Sequence, residues 1–357
     1  MAAPSQYYVD YGAGNDTTGN GTSGTPWKTV QKALDTVTRD TTNGDQININ
    51  SSTAQVLSAA LSLTTYGAPG ATSPLILRGY TASSGDGGVG EIDCNGTSMF
   101  ASSSLRYIVL TGLKVHNFGN NNGVYLSSYP ETYAINCEIY KGASSPTSKT
   151  LVYVGTVIGC HVHDAGTTGI GIGGFTGMVY GNFVNNCITA VNHAGFVVGN
   201  IFANCTHGTT GALVAAGNSV YASSGSTGTG VALPARAIGF NNIIEGFSGS
   251  GGKGLSTVDA LMIGYNAFYN NATAESLGDT WIDSGNDGTL SASPFNNAGS
   301  LDFSLKTTAG SGVLESATPS AFGSATTNKA DRGAVQSGAA AAGGLLTHPG
   351  MSGGMCG

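Results

Sequence analysis

One recurring triplet constrains this chain more than any other feature. Leu113-Lys114-Val115, Cys137-Glu138-Ile139, Cys160-His161-Val162, Asn182-Phe183-Val184, Asn200-Ile201-Phe202, Asn218-Ser219-Val220, Asn242-Ile243-Ile244 and Asn266-Ala267-Phe268 align as one unit. Their first positions are 24, 23, 22, 18, 18, 24 and 24 residues apart. Repeats made of two helices need roughly 33 residues or more, whereas this shorter range suits one coil of a β-solenoid. Within each unit an anchor, an outward variable residue and an apolar residue follow one another, the period-two alternation that a strand imposes. The reading is therefore all-β: a single-stranded right-handed parallel β-helix.

Five consecutive anchors are asparagines: Asn182, Asn200, Asn218, Asn242 and Asn266. Strands in register lie about 4.8 Å apart, so stacked amides can hydrogen-bond from coil to coil and satisfy one another in the interior. An asparagine ladder is expected. The same register sets Cys137 beside Cys160 and Cys187 beside Cys205. Small apolar thiols suit such an interior row, and oxidation to disulfides is the alternative.

Composition agrees with many short strands and tight corners. The chain has 357 residues, of which only 9% are charged, 40% are hydrophobic and 57 are Gly. Gly and Asn tolerate the left-handed backbone that sharp corners demand. The net charge of −7, with no Lys/Arg cluster, argues against a nucleic-acid partner, because neutralising phosphates needs a basic patch. None of the six Cys falls in a CxxC pair, so zinc-ribbon and thioredoxin-like sites lack their spacing. The start, Met1-Ala2-Ala3-Pro4-Ser5-Gln6, has neither the basic nor the apolar region of a signal peptide, and no apolar run approaches roughly 18 residues. Synthesis in a cytoplasm and no membrane span are expected.

Upstream of the repeats, Thr25-Pro26-Trp27-Lys28-Thr29-Val30-Gln31-Lys32-Ala33-Leu34 reads as a helix with Thr25 as N-cap and Pro26 at its first position. Trp27, Val30, Leu34 and Val37 fall on one face, which would cover the open end of the solenoid. The organisation expected is an N-terminal strand and capping helix over 1–43, the β-helix over 44–300, closing coils over 301–336, and a flexible Gly/Ala-rich tail over 337–357.

Tyr7-Tyr8-Val9-Asp10, the Gly/Asn-rich run from Gly12 to Gly24, the Thr25 to Leu34 segment and Gly44-Asp45-Gln46-Ile47-Asn48-Ile49 together resemble the opening of pectate-lyase-like parallel β-helix proteins. Asp302-Phe303-Ser304-Leu305 and Asp331-Arg332-Gly333-Ala334-Val335 resemble their closing segment. The resemblance spans residues 7 to 336. It implies the fold, and it leaves function open among lyases, hydrolases, epimerases, phage tailspikes and non-catalytic virion or surface proteins.

The constellations of those enzymes are hard to find here. Between residues 110 and 270 the acids are Glu131, Glu138, Asp164, Glu245 and Asp259, and no two share an outward position on adjacent coils. A calcium cage for a lyase, or paired Asp residues flanking a glycosidic bond, is not evident. One outward patch does gather polar groups: Lys114, Glu138 and His161 on successive coils, and, two residues on, His116, Tyr140 and His163, with Asp164 adjacent. Read as a site, Lys114, His116, Tyr140 and His161 are glycan-binding candidates, with Tyr140 as a stacking platform. Glu138, Asp164 and His163 are then the acid/base candidates. Read blandly, the patch is a solvated strand face. His161 and His163 project to one side, so a metal there is an alternative; the expectation is no metal and no cofactor.

The tail carries Leu345, Leu346 and Met351 beyond a small-residue linker, an apolar cluster that could dock on a neighbouring subunit. The sequence thus favours a non-catalytic structural or adhesive protein. The expected setting is a phage virion decoration or tail component at a virion or extracellular surface, with other virion proteins and a polysaccharide as partners and a trimer by analogy with tailspikes. A polysaccharide lyase or glycoside hydrolase acting on a surface glycan is the alternative.

Overall fold

A computed structural model describes residues 3–306, 313 and 333, apart from 51, 101–104, 120, 121, 127, 128, 130, 143–149, 166–168, 175, 176, 193, 194, 224, 284 and 285. The tail residues Leu345, Leu346 and Met351 lie outside the described residues. The chain divides into two compact units, Met1–Gly177 and Met178–Gly357.

The first unit is built from parallel pairings. Ser5–Val9 pairs with Asp45–Asn50, which pairs with Leu75–Tyr80, and the series continues through Ile108–Thr111, Thr132–Ile135 and Thr156–Ile158. A second parallel sheet runs through Gln55–Val56, Gly90–Asp93, Leu113–His116, Glu138–Tyr140 and His161–His163. A third set joins Val124–Tyr125, Thr150–Tyr153 and Ile170–Gly173. Ile170–Gly173 is a strand although two of its four residues are glycine.

The second unit repeats the scheme. Phe183–Asn185, Ile201–Ala203, Ser219–Tyr221, Ile243–Glu245, Ala267–Tyr269 and Gly288–Thr289 pair in parallel, one after another. The long strand Lys253–Gly264 pairs in parallel with both Thr229–Leu233 and Ile238–Phe240, and then with Thr273–Asp283. Long parallel sheets in a mostly β chain are compatible with a parallel β-helix, since each strand is followed by a return to the same sheet.

Corner geometry explains the composition. The residue before each anchor is in the left-handed region: Gly112 (φ 60°), Asn136 (51°) and Gly159 (62°) in the first unit. In the second it is Gly181 (64°), Gly199 (64°), Gly217 (61°), Asn241 (58°) and Tyr265 (58°). Gly and Asn adopt that conformation at least cost, and they hold this position before seven of the eight anchors, Tyr265 being the exception. The anchors that follow are fully buried, as are the apolar residues two positions on, such as Val115, Ile139, Val162 and Ile244.

Inside the second unit the five asparagines form a continuous row. Asn182 Nδ2 donates to Asn200 Oδ1 at 3.0 Å, Asn200 to Asn218 at 3.0 Å, Asn218 to Asn242 at 3.0 Å and Asn242 to Asn266 at 2.9 Å. Each Oδ1 also receives the backbone N–H of the preceding asparagine. The Nδ2 groups donate in addition to carbonyls of the coil before, Val179, Val197, Ala215 and Gly239. Asp287 ends the row by accepting the N–H of Asn266. Only a side chain with both an acceptor and two donors can serve every one of these groups.

The structure differs from the sequence reading at the N-terminal helix. It spans Val30–Thr36, with Thr29 rather than Thr25 as N-cap, the Thr29 hydroxyl accepting from Lys32 N–H. Trp27 is extended and bridges in parallel to Val9, which keeps Thr25 and Pro26 out of any helix. Asp16 fixes the entry: its carboxylate accepts from the Lys28 and Thr29 N–H groups and from the Thr29 hydroxyl, at 2.7, 3.0 and 2.8 Å. Trp27, Val30, Leu34 and Val37 are nonetheless all buried, and Val30 N–H donates to Gln55 Oε1 at 3.0 Å.

A second difference concerns the residues after the anchors. In the second unit Phe183, Ile201, Ile243 and Ala267 do not face water; Phe295, Phe303 and Val313 bury them. Phe303 lies on Asp302–Leu305, which pairs antiparallel with Phe295–Asn297. An apolar outer row must be covered, and the closing segment supplies the cover. In the first unit the same row is polar.

The candidate site on the outer strand face

The polar face belongs to four neighbouring strands of the first unit. Glu91 pairs with Lys114, Lys114 with Glu138, and Glu138 with His161; beside that row, Asp93 pairs with His116 and Tyr140 with His163. The structure thus brings together Lys114, His116, Glu138, Tyr140, His161, His163 and Asp164, and it adds Glu91 and Asp93. Sequence reasoning missed those two acids because the repeat was traced only from Leu113. Gly90-Glu91-Ile92 is the unit one coil earlier, 23 residues before Leu113, and that spacing was the available signal.

Charge on this face is answered within it. Glu91 Oε1 lies 3.2 Å from Lys114 Nζ and 2.9 Å from His116 Nε2. His163 sits between two carboxylates, with Nε2 3.3 Å from Glu138 Oε1 and Nδ1 2.8 Å from Asp164 Oδ2. Asp93 Oδ2 accepts from Asn117 Nδ2 at 2.9 Å. The hydrogen bond from His163 holds the Glu138 carboxyl below its ordinary range, against the opposing effect of partial burial. Burial alone would push the His163 imidazole down, yet the hydrogen bonds and charges of Glu138 and Asp164 together raise it. Burial raises the Tyr140 phenol.

Three rings stack across three coils. Tyr140 lies on His116 with centroids 5.1 Å apart and planes 12° apart, and on His163 at 4.7 Å and 11°. His161 in turn lies 4.2 Å from His163. Both faces of Tyr140 are therefore covered by neighbouring imidazoles, so a sugar meeting it would reach the ring edge and hydroxyl rather than the face.

Asp164 owes its place to the corner that follows the strand. It adopts φ 56°, and the equivalent position four residues past Leu113, Asn182, Asn200 and Asn266 holds Asn117, Asn186, Asn204 and Asn270 at φ 58°, 55°, 52° and 52°. An Asp tolerates the left-handed turn as those asparagines do, and it brings a carboxylate back onto the ring of His163.

Elsewhere, Cys94, Cys137, Cys160, Cys187 and Cys205 are buried free thiols; Cys137 N–H donates to Cys160 Sγ at 3.4 Å. No helix among the described residues is long and apolar enough to cross a membrane.

Fold and face together define a mostly β protein of long parallel sheets, compatible with a parallel β-helix, that carries a polar, ring-stacked strand face. No family model matches the chain, and no curated protein matches it. Among solved structures it is similar to a GH136 lacto-N-biosidase from Eubacterium ramulus. The native form matches at 12% identity over 80% of this chain and 56% of that one, with a TM-score of 0.31. The selenomethionine derivative matches at 11% identity, over 80% and 66%, with a TM-score of 0.29. This chain thus spans little more than half the length of the native enzyme's chain. Neither likeness speaks to chemistry, and the fold assignment rests on the strand registers.

Proposed function

We propose that this chain is a non-catalytic structural or adhesive protein: a right-handed parallel β-helix, closed at its N-terminal end by the Val30–Thr36 helix, whose polar face around Lys114, Glu138 and Tyr140 meets carbohydrate. The observation that carries this reading is the mutual saturation of the face. Glu91 is engaged by Lys114 and His116, and Glu138 and Asp164 are both engaged by His163. Glu138 is held ionised, the opposite of what a general acid needs at neutral pH. Coil after coil repeats the same backbone ladder over a buried anchor, which suits a scaffold exposed outside a cell. A virion decoration or tail component is the setting we propose for it.

Incubation with a panel of acidic and neutral polysaccharides tests the reading. The expected result is binding without unsaturated products or new reducing ends, with binding weakened by Lys114→Ala. Turnover that Glu138→Gln abolishes would overturn it.

One observation favours a second reading, a polysaccharide lyase or glycoside hydrolase. An imidazole held by one carboxylate and facing another, as in Asp164–His163–Glu138, is an arrangement able to move a proton. Turnover lost in His163→Ala, in the same panel, would establish that reading instead.

A further inference from the structure

We propose that Glu138, His161 and His163 bind one divalent transition-metal ion of the zinc class. Three observations converge on it. The candidate ligand atoms of these residues, one oxygen and two imidazole nitrogens, all lie within 4.8 Å of one another, and all three side chains are half-buried. The fold fixes their placement: Glu138 stands directly across from His161 in parallel register, and His163 follows His161 by two residues on the same strand face. Asp164 Oδ2 accepts from His163 Nδ1–H at 2.8 Å, which leaves Nε2 turned toward Glu138.

That last contact is the arrangement by which metal-binding histidines are oriented. A carboxylate on one ring nitrogen fixes the tautomer and increases the basicity of the other. Asp164 is also the one acid among the left-handed corner residues at this position, where Asn117, Asn186, Asn204 and Asn270 stand elsewhere. An asparagine would satisfy the turn equally well, so the turn by itself does not call for a carboxylate.

The donor set selects the class of ion. Imidazole suits zinc, copper, nickel and cobalt, whereas calcium and magnesium take oxygen ligands almost alone. Bond lengths of about 2.0–2.2 Å require the three side chains to draw inward on binding. Three protein ligands leave a further position for a water or another oxygen ligand.

The test is calorimetric titration of the full chain, freed of metal by a chelator, with Zn²⁺ alone and separately with Ca²⁺ and Mg²⁺. The expected result is one Zn²⁺ per chain and no Ca²⁺ or Mg²⁺. Asp164→Asn should weaken Zn²⁺ binding by about 10–100-fold, and His161→Ala should weaken it further. Because His163 also belongs to the Tyr140 stack, His161→Ala is the decisive variant, with circular dichroism confirming that it folds. A wild-type chain that takes up no Zn²⁺, or a folded His161→Ala chain that binds it as tightly, would overturn the proposal. No polysaccharide is present in this measurement, so its failure leaves the carbohydrate reading untouched.

Discussion

Asn200 delivers both its backbone N–H and its side-chain amide to a single oxygen, Oδ1 of Asn218, each at 3.0 Å. Both residues are fully buried, so water cannot replace either bond. Asn218→Ala would strand the Asn200 backbone N–H and deprive the Val197 carbonyl of the Asn218 Nδ2 donor it holds at 2.9 Å, while the Asn200 side-chain amide would keep the Val179 and Val198 carbonyls. Leaving buried polar groups unpaired costs about 1–3 kcal/mol each. The expected outcome is a loss of roughly 3 kcal/mol or more, read as a lower urea midpoint.

Phe303 is the second place where one side chain matters. It is 2% exposed and meets the rings of Phe295, Tyr221 and Phe183 at 5.2, 6.2 and 6.3 Å. Phe303→Ala should cost about 3–5 kcal/mol and expose the apolar row it covers. Increased binding of a hydrophobic dye, together with an earlier thermal transition, checks this; an unchanged transition would show that the closing segment contributes little.

Acid in the second unit gives a pH dependence of defined sign. Burial first, and then the charge of and hydrogen bond with Asp287, push the Glu275 carboxyl up to about 8 from an ordinary 4.5. Folding therefore favours its protonated form. The stability this contributes is complete below about pH 4.5, declines as pH rises above that value, and is lost above about pH 8. Glu275→Gln should make the chain more stable than wild type at pH 9 and leave it nearly unchanged at pH 4.5. Thermal melts at the two values compare them directly.

The five buried thiols should be inert in the native chain. Burial shuts all five away from reagent, and it raises the thiols of Cys94 and Cys160; at Cys137 the hydrogen bond with Cys160 outweighs burial and lowers the thiol, so there exclusion of reagent alone protects. In a Cys356→Ser chain, a thiol reagent such as dithionitrobenzoate is expected to give no colour until denaturant is added. Rapid reaction of the native chain would mean that the interior rows open.

Much of the architecture was legible in the residues, and the reason is local. The triplets record which side chain points inward, and the Gly or Asn before every anchor but Asn266 records a left-handed corner. The asparagine row could be proposed because five identical polar residues at the interior position have no other way to be satisfied. Less of the site was legible. The triplets place Lys114, Glu138, His161, His116, Tyr140 and His163 on one face, whereas Glu91 and Asp93 belong to Gly90–Asp93, a coil whose anchor is a Gly and so lacks the Leu, Cys or Asn that marks the others.

What the amino-acid sequence determined by itself, then, is the alternation along each strand and the backbone sign at the corners that carry Gly or Asn, since both depend on a residue and its immediate neighbours. The tertiary structure decided the rest. Only the packed side chains close His163 between Glu138 and Asp164 and lay two imidazoles against Tyr140, because ring angles and contact distances are set by the surroundings on neighbouring coils. Only packing turned the outer row of the second unit into a covered core under Phe303, and only the Val9–Trp27 bridge and the Asp16 carboxylate moved the helix start to Thr29. Contacts between distant segments are chosen by the free energy of the whole assembly, and no local pattern carries that choice.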